Sequence, residues 1–155
     1  MFKIRKYLNE DLLSVQSIVT EATKDLRLVY APKKKCKINE NENLEPLRYV
    51  AITDDGLLVG VAEYTKTLNI FYVQGLAVRS SSRKEGVARA LLSYISTIGN
   101  REGVTTIEIK TIEETGNCEI FEKLGFIVSS RTQSENFLGI KGQPVIEVVM
   151  NCDVS

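Results

Sequence analysis

Histidine is missing from all 155 positions of the chain, and that gap removes whole classes of chemistry. Without imidazole there is no Ser-His-Asp triad, no histidine-containing zinc or iron site and no imidazole general base. Any reaction must run on carboxylates, tyrosines, cysteines, amines or backbone dipoles. Cysteine is scarce: Cys36, Cys118 and Cys152 are odd in number and have no CxxC spacing. They point to a reducing compartment, so a cytoplasmic location is expected, with neither a disulfide framework nor a metal site. No run approaches the roughly 20 apolar residues that cross a bilayer. The amino terminus alternates charged and apolar residues and lacks a signal-peptide core, so no membrane partner is expected. An excess of charge is lacking too, since 20 basic residues balance 20 acidic ones. Nucleic acid is therefore not an expected partner. The dense basic run of Lys33, Lys34, Lys35 and Lys37 is offset by Glu40, Glu42 and Glu45 and reads as a solvated loop of mixed charge, with contact to a phosphate or acidic substrate as the alternative.

What is present suits one self-sufficient domain over residues 1–150 with a short tail at 151–155. A chain of this size buries roughly 69% of its extended surface. Residues 2–7 alternate as a strand does. Asn9 is placed to cap a helix over 10–28, whose apolar face is Leu12, Val15, Ile18, Val19, Ala22 and Leu26. Residues 31–46 read as a long loop with room for one short helix. Strands are expected at 48–53 and 57–66, joined through Asp54, Asp55 and Gly56, the clearest hairpin in the chain. The run 70–78 is apolar enough for a central strand, and Gly75 inside it invites a bulge. A helix follows from about Gly86, marked by Val87, Leu91, Ile95 and Ile98. A strand at 104–112, a short helix at 116–124 burying Ile120, Phe121 and Leu124, and strands at 126–133 and 144–150 complete the order. The expected class is α/β (α+β), a central mixed sheet flanked by helices.

The segment IFYVQGLAVRSSSRKEGVARALLSYI carries the functional signal. A strand runs into a polar turn and then a helix. Gly86 allows the turn, small Ala88 permits close approach, and the free N–H groups of the first helical turn point at whatever lies above them. Arg83 and Lys84 add positive charge, and Glu85 opposes it. As chemistry alone this is either a phosphate cradle or an ordinary strand–loop–helix junction. It is neither GxxxxGK[ST] nor GxGxxG.

The segment resembles the acyl-CoA-binding motif of the GNAT superfamily of N-acetyltransferases. Leu76-Ala77-Val78 stands for the strand end, and Arg83-Lys84-Glu85-Gly86-Val87-Ala88 for (Arg/Gln)-x-x-Gly-x-(Gly/Ala). A second stretch, EIFEKLGF at 119–126, resembles the family's lYeklGF segment. The resemblance implies a GNAT-like fold and acetyl-CoA (coenzyme A) as acyl-donor cosubstrate. It implies that the amides from Arg83 through Ala88, with Val87 among them, hold the pyrophosphate. The pantetheine arm would run along 70–78, through Leu76, Ala77 and Val78. A backbone N–H near Leu76 would polarise the thioester carbonyl, and the amine would attack directly.

Two departures bear on mechanism. Phe121 stands where the family often has a tyrosine that protonates the departing thiolate. Glu114 and Asn117 stand where an Asn and an Ala are usual; with Phe121 they count among the residues the resemblance places against the cofactor, and Glu114 is open equally to contact with CoA or substrate and to a solvated helix start. Cys118 lies close by but has no histidine to activate it. For the general base the residues offer Glu63, an acid in an apolar strand that can equally be a strand end emerging into solvent. Tyr72 occupies a position from which some family members extend a glutamate and is a catalytic candidate as a hydroxyl relay, or else an aromatic wall; Gln74, another polar residue of that strand, is placed to orient a water or substrate. The expected activity is acetyl transfer to a small-molecule or peptide amine, by a monomer or homodimer. The alternative is a CoA-binding sensor or interaction module with little turnover.

Overall fold

The computed structural model describes residues 1–34 and 45–155. Lys35, Cys36 and Lys37, with Glu40, Glu42 and most of the expected long loop, lie outside the described residues. Among the described residues eight strands form one sheet: β1 Phe2–Lys6, β2 Tyr30–Pro32, β3 Leu47–Thr53, β4 Leu58–Lys66, β5 Ile70–Val78, β6 Thr106–Ile112, β7 Ile127–Gly139 and β8 Pro144–Asp153. Their spatial order is β1-β3-β4-β5-β6-β8-β7-β2. Every pair is antiparallel except β5 and β6. That parallel pair needs a crossover, which the helix α2, Val87–Arg101, supplies. The other α-helices among the described residues are α1, Leu12–Leu26, and α3, Asn117–Lys123. No helix among the described residues is long and apolar enough to cross a membrane.

Two cores sandwich the sheet. Beneath α1, Ile18 packs with Val50, Ile52, Leu58, Val61 and Ala77. The larger core lies on the opposite face, where Val87, Leu91, Leu92 and Ile95 of α2 and Cys118 of α3 meet Tyr64, Phe71, Ile107, Ile109 and Met150. Contact between α2 and β4 is close because position 60 is glycine. A Cβ there would lie 2.6 Å from Val87 Cγ1 and 3.2 Å from Leu91 Cδ1.

Several expectations are corrected. Asn9 does not cap α1. It lies in a 3-10 turn, Asn9–Asp11, that leads into the helix, which starts with no side-chain cap; Asp11 ties that turn down by accepting the Leu8 N–H at 2.8 Å and bonds from both Arg5 guanidinium nitrogens at 2.8 and 2.9 Å. The buried face of α1 is narrower than its apolar spacing suggests, since Leu12 and Val19 are exposed. In α3 it is Cys118 that is buried, while Ile120 is 53% exposed. Strand β7 continues to Gly139 through a register break between Gln133 and Leu138 that hides its alternation. Part of the expected loop is the edge strand β2, held to β7 by Tyr30 packed edge-on to Phe137 at 5.1 Å. Residues 151–153 belong to β8, with Asp153 paired to Thr106, so the separate tail shrinks to the last two residues.

Candidate active site

The centre of the sheet opens where β5 and β6 part. Their parallel pairing runs from Ile70–Thr106 to Val73–Ile109 and stops, although both strands continue. The register between β4 and β5 explains the parting. Tyr64 pairs with Val73 and Glu63 with Gly75, so Gln74 is an extra residue, the bulge that Gly75 invited.

One extra residue swaps which backbone groups face β6. Before the bulge, Thr67 donates to the Ile70 carbonyl at 3.0 Å. Bonded pairs then recur every second residue, at Thr65–Tyr72, and Phe71 and Val73 turn to β6. After the bulge, Arg79 donates to the Val59 carbonyl at 2.8 Å, so Ala77 and Gly75 bond to β4. Leu76 and Val78 therefore present N–H and C=O to the edge that β6 has left. The Arg83 Nε lies 3.4 Å from the Val78 carbonyl.

The polar turn follows directly. A short 3-10 turn over Ser80–Ser82 leads into Arg83, Lys84, Glu85 and Gly86, all exposed. Two of the four are left-handed: Lys84 at φ 67° and Gly86 at φ 86°. Gly86 adopts this conformation freely, whereas at Lys84 it stores strain of order 1 kcal/mol. Such turns gather backbone N–H groups into an anion-binding concavity. The 15-residue helix α2 begins there with no side-chain cap and no acidic residue in its first turn. Its free N–H groups and positive dipole end suit an anion. The turn is steadied from α1: Glu21 accepts the Ser80 N–H, and Asp25 pairs with Arg83 at 2.9 Å. The Ser80 N–H draws the Glu21 carboxyl below its usual range. Uncapped helix end, cationic side chains and open strand edge thus fit a phosphate-bearing chain running from the turn down the cleft.

On the α1 face, Glu63, Thr65, Tyr72 and Gln74 gather around the bulge, with Gln74 donating to Thr65 Oγ1 at 3.3 Å. Glu63 is neither a bare strand end nor an unengaged acid. Its Oε2 accepts from Arg48 Nε at 2.8 Å, and Arg48 in turn lies 5.4 Å over the Tyr7 ring.

The remaining candidates sit near the start of α3. Glu114 accepts the Ile146 N–H with both oxygens, at 2.9 and 3.1 Å, and so pins β8. Asn117 opens α3, its N–H bonded to Thr115 Oγ1 at 3.2 Å. Phe121 is half-buried and packs edge-on to Phe126 at 6.0 Å, with no hydroxyl to offer. Burial pushes the Cys118 thiol up, away from the thiolate a nucleophile needs.

Sequence reasoning passed over Glu108 and Asn151. Glu108 pairs with Tyr72 on one side and Asn151 on the other, on the same face as Glu63. Burial raises its carboxyl above the usual range, with Lys110 opposing. The available signal was an acid in a strand with neighbours on both sides.

Known proteins share this fold. The family profile described as "Acetyltransferase (GNAT) domain" matches residues 28–144. No curated protein matches by sequence. Among solved structures, the ribosomal-protein-S18-alanine N-acetyltransferase of Escherichia coli is 18% identical with a TM-score of 0.74, over 100% of this chain and 95% of that one. A GCN5-related N-acetyltransferase from Kribbella flavida is 19% identical at TM-score 0.77, over 98% and 97%. An aminoglycoside 6'-N-acetyltransferase complexed with coenzyme A is 16% identical at TM-score 0.70, over 99% and 97%.

Proposed function

The chain belongs to the GNAT acetyltransferase family, and from that premise we propose that it transfers an acetyl group from acetyl-CoA to an amine by direct attack. The observation that carries this reading is the cleft left where β5 departs from β6, running from the free end of α2 to the Leu76 amide. The amides from Arg83 to Ala88 hold the pyrophosphate, and Val78 and Leu76 line the path of the pantetheine arm. The Leu76 N–H stabilises the oxygen on which negative charge develops, a dipole fixed before reaction. The amine approaches from the face bearing Glu63 and Tyr72. The structurally similar enzymes include one named for a ribosomal-protein alanine and one named for an aminoglycoside, so the acceptor is either a peptide or a small-molecule amine.

Calorimetry with acetyl-CoA tests the donor site. Micromolar binding that weakens at least tenfold in Gly86→Val, where a β-branched side chain meets φ 86°, is the expected result. Absence of binding at millimolar acetyl-CoA sinks the reading. A second reading, a CoA-binding module with little turnover, is supported by Phe121, which has no hydroxyl to offer where the resemblance expects a tyrosine to protonate the thiolate. Thiol release across a panel of amines separates the two, and turnover of any amine excludes the module.

A further inference from the structure

Among the described residues the N–H groups from Lys84 to Arg89 find no acceptor within the protein. That leaves them open to a ligand, and it also leaves the turn between β5 and α2 poor in bonds of its own. Its local backbone bonds are Ser82 N–H to the Arg79 carbonyl at 2.9 Å and a long one, 3.4 Å, from Arg83 N–H to the Ser80 carbonyl. Lys84 is held against its conformational preference at φ 67°. A turn of this kind keeps one shape only if neighbouring elements hold it.

Two neighbours do so. From β4, the Leu58 carbonyl accepts Arg79 Nε and Nη2 at 3.2 and 3.1 Å. From α1, the Glu21 carboxylate accepts the Ser80 N–H, and Asp25 Oδ2 lies 2.9 Å from Arg83 Nη1. Glu21 and Asp25 are four residues apart, so they share one side of the helix and reach the two ends of the same turn. Ile18, one turn earlier, is buried with Leu58 and Ala77, which seats that side of α1 on the strands that flank the turn. The two contacts differ in weight. Asp25 and Arg83 are about half-exposed, and an ion pair there adds little. A carboxylate on a backbone N–H is a charge-assisted bond to a group that cannot swing away.

As charges, both acids are misplaced. Two carboxylates beside an anion site repel the anion, and Asp25 takes up the Arg83 guanidinium. Between Arg83 and Ala88, Lys84 is then the side-chain cation left without an ion-pair partner among the described residues. As acceptors, the same acids fix the turn. The two roles predict opposite effects on donor binding.

We propose that Glu21 is a positioning residue for the donor site: through the Ser80 N–H it holds the β5–α2 turn in the shape that offers its free amides to the pyrophosphate. Lys84, rather than Arg83, supplies the side-chain charge that meets the phosphate. The proposal rests on the acetyltransferase reading above.

The test is acetyl-CoA calorimetry on the intact protein, Glu21→Ala, Glu21→Gln and Lys84→Gln. Each is measured at low salt and at about 1 M NaCl, where the Debye length is about 3 Å. Glu21→Ala should weaken binding about tenfold, the scale of one charge-assisted bond. The loss should persist in salt, because it is a loss of shape. Glu21→Gln, whose amide oxygen still accepts, should bind at least about threefold more tightly than Glu21→Ala. Lys84→Gln should also weaken binding, but by a margin that high salt removes. Equal or tighter binding by Glu21→Ala makes the carboxylate a bare charge and overturns the proposal. Equal losses in the Ala and Gln variants overturn it too, as does a loss in Glu21→Ala that vanishes in salt. A Lys84→Gln protein that binds as the intact one does overturns the assignment of the phosphate charge. Should Glu21→Ala not fold, Glu21→Met, equally long and without an oxygen acceptor, takes its place with the same expectations. No binding by the intact protein sinks the acetyltransferase reading itself, whereas normal binding by the intact protein with any contrary result in the variants sinks this proposal alone.

Discussion

Gly60→Ala tests how the sheet sets the position of the phosphate turn. The added Cβ would lie 2.6 Å from Val87 Cγ1, 3.2 Å from Leu91 Cδ1 and 3.4 Å from the Ala77 carbonyl oxygen. Carbon atoms rest at about 3.5–4.0 Å, so the first contact is about 1 Å too close. Val87 is buried and β-branched, and cannot swing aside cheaply. The first turn of α2 must move instead. Overpacking of this kind costs about 1–3 kcal/mol, and removing a glycine from the unfolded chain returns about 0.4–1 kcal/mol. A net loss of about 1–2 kcal/mol is expected, read as a lower urea midpoint. Because that turn carries the N–H groups assigned to the pyrophosphate, acetyl-CoA affinity should fall with it. Val87→Ala removes the clashing methyl at a cost of about 2 kcal/mol by itself. The double variant should then be less damaged than the sum of the singles by about 1 kcal/mol. A Gly60→Ala protein with unchanged midpoint and affinity, or a strictly additive pair, refutes the reasoning.

Asp11→Asn should lower stability by about 2 kcal/mol at neutral pH, since it weakens charge-assisted bonds to Arg5 at a site 6% exposed. The Arg5 guanidinium holds the Asp11 carboxyl below its ordinary range. Its contribution is therefore full above about pH 4 and is lost as pH falls through the lower folded value, so urea midpoints of the two proteins should converge in acid. Glu114→Ala should cost about 1 kcal/mol by releasing the Ile146 N–H. Acetyl-CoA affinity should stay unchanged, and a marked drop would make Glu114 a cofactor contact instead. Phe121→Tyr should raise kcat several-fold in a thiol-release assay if thiolate protonation limits turnover, and an unchanged rate would show that the thiolate leaves unassisted.

Most of the architecture was legible because its signals are local. The Asp54-Asp55-Gly56 hairpin, strand 70–78 and the helix after Gly86 each follow from turn chemistry or periodicity within a dozen residues. The misses have physical causes. Asn9 looked like a cap because asparagine often is one, yet it falls inside the 3-10 turn that precedes the helix, where Asp11 and Arg5, six residues apart, hold the chain. The alternation of β7 is interrupted by its own register break, and a three-residue edge strand such as β2 carries too little pattern to be read. At the site, the turn at Arg83–Ala88 was visible as a motif, and Gly75 marked the bulge. Glu108 was not singled out because its meaning depends on Tyr72 and Asn151, 36 and 43 residues away in the chain. Glu63 stood out as an acid in an apolar strand, but the ion pair that engages it comes from Arg48 on the neighbouring strand.

Gln74 also makes β5 a matter of counting. The strand is out of phase with itself: its two halves obey opposite parity rules, and the surplus residue is what keeps them from agreeing. Deleting Gln74 would leave every other side chain of the cleft intact, yet it would bring the halves back into step. The Leu76 amide would stay on the edge facing β6, now in step with Phe71 and Val73, and that edge would become available for pairing along its whole length. The pocket would close like a zipper, with the fold preserved and the donor site gone. In this protein the cavity is encoded by strand length as much as by side-chain chemistry.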